Sequence, residues 1–207
     1  MLWSLLQFFE GPPGPAAGSS GRIADRYANA EMTNQFGETV RFADAFVDGR
    51  ALVVNTMYTR CRGACPGTSA TLESLRRTLA PVFGRRLTFV SISLDPAADT
   101  VDALARYAGL YGAGRRRDDL PEWHFLTGAP GETDRLRRSL GFYDLDPAVD
   151  ADVTQHDALL LFGNSTSDRW ASLPAGVREP VLVEAIRRTA GFTPEQRYGL
   201  SLPGVAR

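Results

Sequence analysis

The 207-residue chain has no lysine, and all 23 of its basic residues are arginine. We read this as a compositional habit of the source, and it carries no functional argument. Cysteine is scarce too. Two cysteines are too few for the disulfide framework of a small secreted scaffold, and a chain that is 43% hydrophobic builds one sizeable core without such a framework. Any use of the pair is therefore local. Net charge is almost absent, -1 at pH 7 with a pI near 6.1, which excludes the electrostatic footprint of a nucleic-acid binder or of a protein held on an anionic membrane surface. Long apolar runs are missing as well. The opening MLWSLLQFF has no positive leader, is too short to span a bilayer and breaks at GPPG. It reads either as the stub of an anchor, through which the protein would associate with a membrane, or as an extraneous start.

What is present is an alternation of strands and helices. Residues 1–29 read as an N-terminal segment and flexible linker, with Gly, Pro, Ala and Ser concentrated over 11–21. Residues 30–190 read as one domain and 191–207 as a C-terminal tail. RALVVNTMY (50–58) and RLTFVSISLD (86–95) have the apolar runs of strands buried on both faces. EWHFLTG (122–128), DALLLFG (157–163) and an edge strand RWASLP (169–174) follow. Helices are expected from Pro66 onward with Leu72, Leu75 and Leu79 on one face, after an Asp99 or Thr100 cap, over 131–141 and over 179–191. This spacing defines an α/β fold, a central sheet with helices on both faces. The run RRRDD (115–119) reads as a solvated loop.

Both cysteines fall between the first long strand and its helix, in YTRCRGACP (58–66). Cys61 stands where the strand ends and Cys65 at the start of the helix, where the dipole and unpaired N–H groups favour thiolates. A step of four residues allows either a disulfide or two sulfurs converging on one soft metal ion. Ordinary buried cysteines are the plainer alternative, since free cysteine packs as a small hydrophobe. A soft metal held by two thiolates commonly takes a nitrogen as its third ligand, and the chain has two histidines. His124 sits inside the apolar strand WHFLTG and reads as a partly buried, satisfied side chain. His156 stands at the loop-to-strand junction of ADVTQHDALLLFG, where sites collect, and is the candidate; a surface histidine at a strand start is its alternative.

Taken in order, YTRCRGACP (58–66), SLDPAADT (93–100), WHFLTG (123–128) and His156 ahead of a hydrophobic strand resemble the motifs of the Sco/SenC proteins, thioredoxin-like copper chaperones associated with assembly of the dinuclear copper centre of cytochrome c oxidase. The resemblance covers about residues 30–190. It implies a thioredoxin-like fold with a mixed sheet, copper (Cu(I) or Cu(II)) held by Cys61, Cys65 and His156, and an extracytoplasmic location. The implied partner is a copper-receiving oxidase subunit or another copper carrier. Thiolate and imidazole ligands suit copper, and three ligands leave a position through which a recipient takes the ion. Asp95 and Asp99 are explained as a turn and a helix cap and receive no metal role. One departure stands out: the family often has Pro then Asp after the first cysteine, where this chain has Arg62 and Gly63, exchanging a carboxylate beside the site for a cation.

A second reading, from a different class, is a thiol-disulfide oxidoreductase in which Cys61 attacks a partner's disulfide and Cys65 resolves the mixed disulfide. Against it, thioredoxin-type motifs have two intervening residues where this chain has three. A peroxidase of the peroxiredoxin kind shares the fold, but Cys65-Pro66 so close behind Cys61 argues against it. In the leading reading the protein is a delivery protein and not an enzyme with turnover.

Overall fold

A computed structural model describes residues 21–156 and 158–199. The expectations placed on 1–20 and 200–207 lie outside these residues. Seven strands form one mixed sheet in the order β2-β1-β5-β4-β3-β6-β7. They are β1 (Glu31–Asn34), β2 (Thr39–Arg41), β3 (Ala51–Met57), β4 (Leu87–Ser93), β5 (Glu122–Thr127), β6 (Leu159–Asn164) and β7 (Arg169–Pro174). The β5-β4-β3 trio is parallel, and β1 and β6 flank it antiparallel.

The central strands are legible because both of their faces are covered. Every residue of β3 and β4 is buried, and successive side chains point to opposite faces. Ala51, Val53, Phe89 and Phe125 pack under α1 (Cys65–Phe83), α2 (Val101–Leu110) and α5 (Glu179–Ala190). Leu52, Val54, Val90 and Leu126 pack on the other face with Phe46 and with Leu136 of α3 (Pro130–Ser139). Helices thus lie on both faces, as expected. Leu72, Leu75 and Leu79 form the buried stripe of α1. The cap of α2 is Thr100, whose hydroxyl accepts from the Ala103 N–H at 3.3 Å.

Short elements complete the fold: the β1–β2 hairpin, a single π-helical turn at Ala43–Val47, α4 (Pro147–Ala151) and α6 (Pro194–Tyr198). Packing extends to both sides of residues 30–190. Tyr27 meets the Trp170 ring edge-on at 4.8 Å, and the Gln196 amide of α6 donates to the Val82 carbonyl at 3.0 Å. Trp170 also explains Gly163 in β6, where an added Cβ would fall 2.4 Å from the indole.

A polar chain crosses the sheet core. The Trp123 indole N–H donates to Ser91 Oγ (3.0 Å), and Ser91 Oγ donates to Asn55 Oδ1 (2.6 Å), which ties β5, β4 and β3 across the face under α1. All three residues are buried. Ser91→Ala leaves a buried donor and a buried acceptor unpaired. We expect a loss of about 2 kcal/mol, read as a lower urea midpoint with an unchanged denaturant slope.

Candidate metal centre

Strand register brings three loops to one end of the sheet. Because β3 and β4 are parallel with Met57 opposite Ser93, the cysteine loop after β3 and residues 94–100 after β4 emerge side by side. The Leu94 N–H donates to the Met57 carbonyl at 2.8 Å and extends the pairing past the strand ends. In the antiparallel β3–β6 pair Ala51 faces Asn164 and Val54 faces Leu161, so residues just ahead of β6 come to lie over those just after β3. That places His156 at the cysteines.

Asp99 stitches the loops together. Its fully buried carboxylate accepts from the Thr59 N–H (3.0 Å) and Thr59 Oγ1 (2.6 Å) through one oxygen and from Ser93 Oγ (2.6 Å) through the other. Arg60 pairs with Asp95 at 2.7 Å on the surface above. Neither carboxylate is a ligand in this arrangement; both hold the approach to Cys61.

The two thiols differ. Cys65 is the first residue of α1 and is 2% exposed, whereas Cys61 precedes the helix and is 9% exposed. Burial raises the Cys61 thiol pKa, but hydrogen bonds from Cys65, from the N–H groups of Cys65 and Gly63 and from the Tyr58 hydroxyl outweigh it, leaving Cys61 below the ordinary thiol value. Cys65 is pushed up to about 12, first by burial and then by Cys61 beside it. The dipole argument from sequence therefore holds for Cys61 and fails for Cys65, where desolvation wins. The four-residue step is also not a helical one, because Cys61 reaches Cys65 through the loop.

His156 is half-buried and its Nδ1 lies 2.6 Å from the Val153 carbonyl oxygen. A carbonyl only accepts, so Nδ1 carries a proton and donates it there, which turns Nε2 toward the cysteines. Nε2 lies 3.6 Å from Cys65 Sγ. Tyr58 completes the cluster: its ring meets the imidazole edge-on at 5.7 Å while its hydroxyl reaches Cys61. The structure therefore brings Cys61, Cys65 and His156 together. No group of three or more His, Cys, Asp or Glu side chains among the described residues is arranged to hold a metal ion. His124 lies elsewhere, on β5 against Phe46, with Nε2 3.1 Å from Glu122.

Residues that sequence reasoning missed support the imidazole from behind. Arg137 of α3 donates to both oxygens of Asp150 (2.6 and 2.8 Å) and to the Phe142 carbonyl (3.0 Å). This clamps α4, and with it the segment leading to Val153 and His156, against α3. The side chains of Arg137 and Asp150 are 13% and 4% exposed, so the pair is little screened.

Fold and site together define a thioredoxin-like protein that carries a pair of cysteines faced by an imidazole. The chain belongs to the SCO1/SenC family, whose model matches residues 22–191. A Stutzerimonas stutzeri protein provisionally named as copper-binding is 28% identical over 153 residues, 71% of this chain and 67% of its own length. Among solved structures, copper-bound ScoI of Bradyrhizobium japonicum superposes with a TM-score of 0.56 at 21% identity, covering 77% of this chain and 96% of that one. BsSco, described as a Sco-family cytochrome c oxidase assembly protein with a disulfide switch, gives 0.58 at 19% identity, covering 77% and 91%. These structural likenesses establish the shared fold.

Two outcomes follow from the geometry. In the reduced protein at pH 8, iodoacetamide should modify Cys61 well before Cys65, since the thiolate fraction grows as pH passes each pKa and that of Cys61 lies lower; peptide mapping by mass spectrometry reads the order, and Cys65 reacting first would contradict the assignment. Arg137→Met should destabilise the protein by about 2 kcal/mol and raise amide exchange across 147–156, whereas exchange unchanged in that segment would remove Arg137 as the clamp.

Proposed function

We propose that the protein binds copper as cargo through Cys61, Cys65 and His156 and delivers it to the copper centre of a respiratory oxidase, outside the cytoplasm. The observation that carries this reading is the orientation of the His156 imidazole: its Nδ1–H is held by the Val153 carbonyl, which places Nε2 3.6 Å from Cys65 Sγ. The donor set fits. Two sulfurs and one imidazole suit copper, and loading would displace the thiol protons. Family membership, the copper-binding name of the Stutzerimonas stutzeri relative and the copper-bound ScoI structure support the ion, and the description of BsSco supports the oxidase as recipient.

The unequal thiols favour a second reading, thiol-disulfide exchange. Cys61 thiolate attacks a partner's disulfide, forming a mixed disulfide and releasing one partner thiolate. Cys65 then gives its proton to His156 Nε2 and attacks Cys61 Sγ, which closes the Cys61–Cys65 disulfide and frees the second partner thiol. His156 has a part in both readings, so its effect on redox activity does not separate them. Copper retention does.

Reduced wild type should hold about one copper ion per chain against a competing Cu(I) chelator, and His156→Ala should weaken retention about tenfold or more. Equal retention in both would remove His156 from the site. No retention in either would overturn delivery and leave thiol exchange, with the reduction potential of the dithiol as the quantity to measure.

A further inference from the structure

His156 has a second face. A cavity of about 310 Å³ lies beside it on the α3 side of the sheet, bounded by α3, α4 and residues 152–156; His156 lines it and neither cysteine does. Its floor is apolar, formed by Leu94, Pro96, Phe142, Val149 and Leu159. Four carboxylates line it, Asp134, Asp144, Asp150 and Asp152, against the single guanidinium of Arg137. Arg137 and Arg138 neutralise Asp134 and Asp150. Asp144 and Asp152 accept hydrogen bonds only from neutral donors, the N–H groups of Asp146 and Thr154, Thr154 Oγ1 and the Gln155 amide, so their charge stays uncompensated at the cavity wall. Two large apolar side chains stand exposed at the same place: Tyr143, which lines the cavity and is 49% exposed, and Leu145, which is 89% exposed. A soluble surface seldom spends a tyrosine and a leucine next to one another on water, and such residues around a pocket mark protein contact.

We propose that this cavity is the docking pocket for the protein that exchanges copper with the chain, and that it takes a large apolar side chain flanked by lysine or arginine on the partner's surface. The inference rests on the copper-delivery reading. Apolar floor and surplus negative charge together select such a segment and reject an acidic one. Docking there sets the partner's own ligands beside His156, the copper ligand that forms the common wall.

The test uses the full chain, reduced, with and without copper, titrated by NMR with the peptides acetyl-Gly-Arg-Trp-Arg-Gly-amide and acetyl-Gly-Glu-Trp-Glu-Gly-amide. The basic peptide should shift amides within 130–159, bind more weakly as salt rises, and lose about tenfold or more in affinity in Asp144→Arg and in Tyr143→Ser; the acidic peptide should not bind. Both substitutions are at exposed positions and should leave copper retention unchanged. Shifts mapping elsewhere, equal binding of the two peptides, or full binding in both variants would overturn the pocket. Copper retention is read on the same samples: a wild type that holds no copper overturns the delivery reading whatever the peptides do, whereas intact retention without peptide shifts overturns the docking pocket alone.

Discussion

The buried carboxylate of Asp99 is the contact on which the site depends. Three donors converge on it, two from Thr59 and one from Ser93, and none is replaceable by water because Asp99 is fully buried. It thereby fixes the first residues after β3 to the end of β4, and the cysteine loop inherits the position of the sheet. A loop pinned in this way does not need its own regular structure. Cys61 can lie outside the helix and still reach Cys65, which a free chain would achieve only at a cost in conformational entropy.

Burial then divides the roles of the two sulfurs. Cys65, at the head of α1, is deeper, and desolvation there dominates, so it holds its proton beside His156. Cys61, nearer solvent, collects N–H and O–H donors and gives up its proton more readily. The pair is thus a readily ionised thiol in front of a more deeply buried one that lies beside an imidazole.

Sequence exposed the parts of this arrangement that follow from periodicity. Seven-residue strands buried on both faces read as unbroken apolar runs, and Leu72, Leu75 and Leu79 mark the helix after the cysteines. The β1–β2 hairpin escaped because its strands are four and three residues long and carry polar side chains. Gln35 shows the difficulty: its side chain accepts from the Phe125 N–H and donates to the Trp123 carbonyl, standing in for backbone pairing beside β1. No pattern in the chain announces that. His156 was legible from its place ahead of a strand, but its support was not, since Val153, Tyr58 and the Arg137–Asp150 pair act through contacts that exist only once the sheet has formed. The depth of Cys65 was equally hidden, because position at a helix start says nothing of what covers it.

Arg62 and Gly63 acquire a physical meaning against this geometry. The N–H of Gly63 is among the donors that lower the Cys61 pKa, and Arg62 beside it is exposed. A carboxylate in that turn would oppose ionisation of Cys61, whereas the cation assists it. On the far side of His156 the charge is reversed, with Asp144 and Asp152 at the cavity wall. The site lies between a basic turn at the nucleophile and an acidic pocket behind the imidazole, so a docking surface with the opposite order of charge fits in one orientation only.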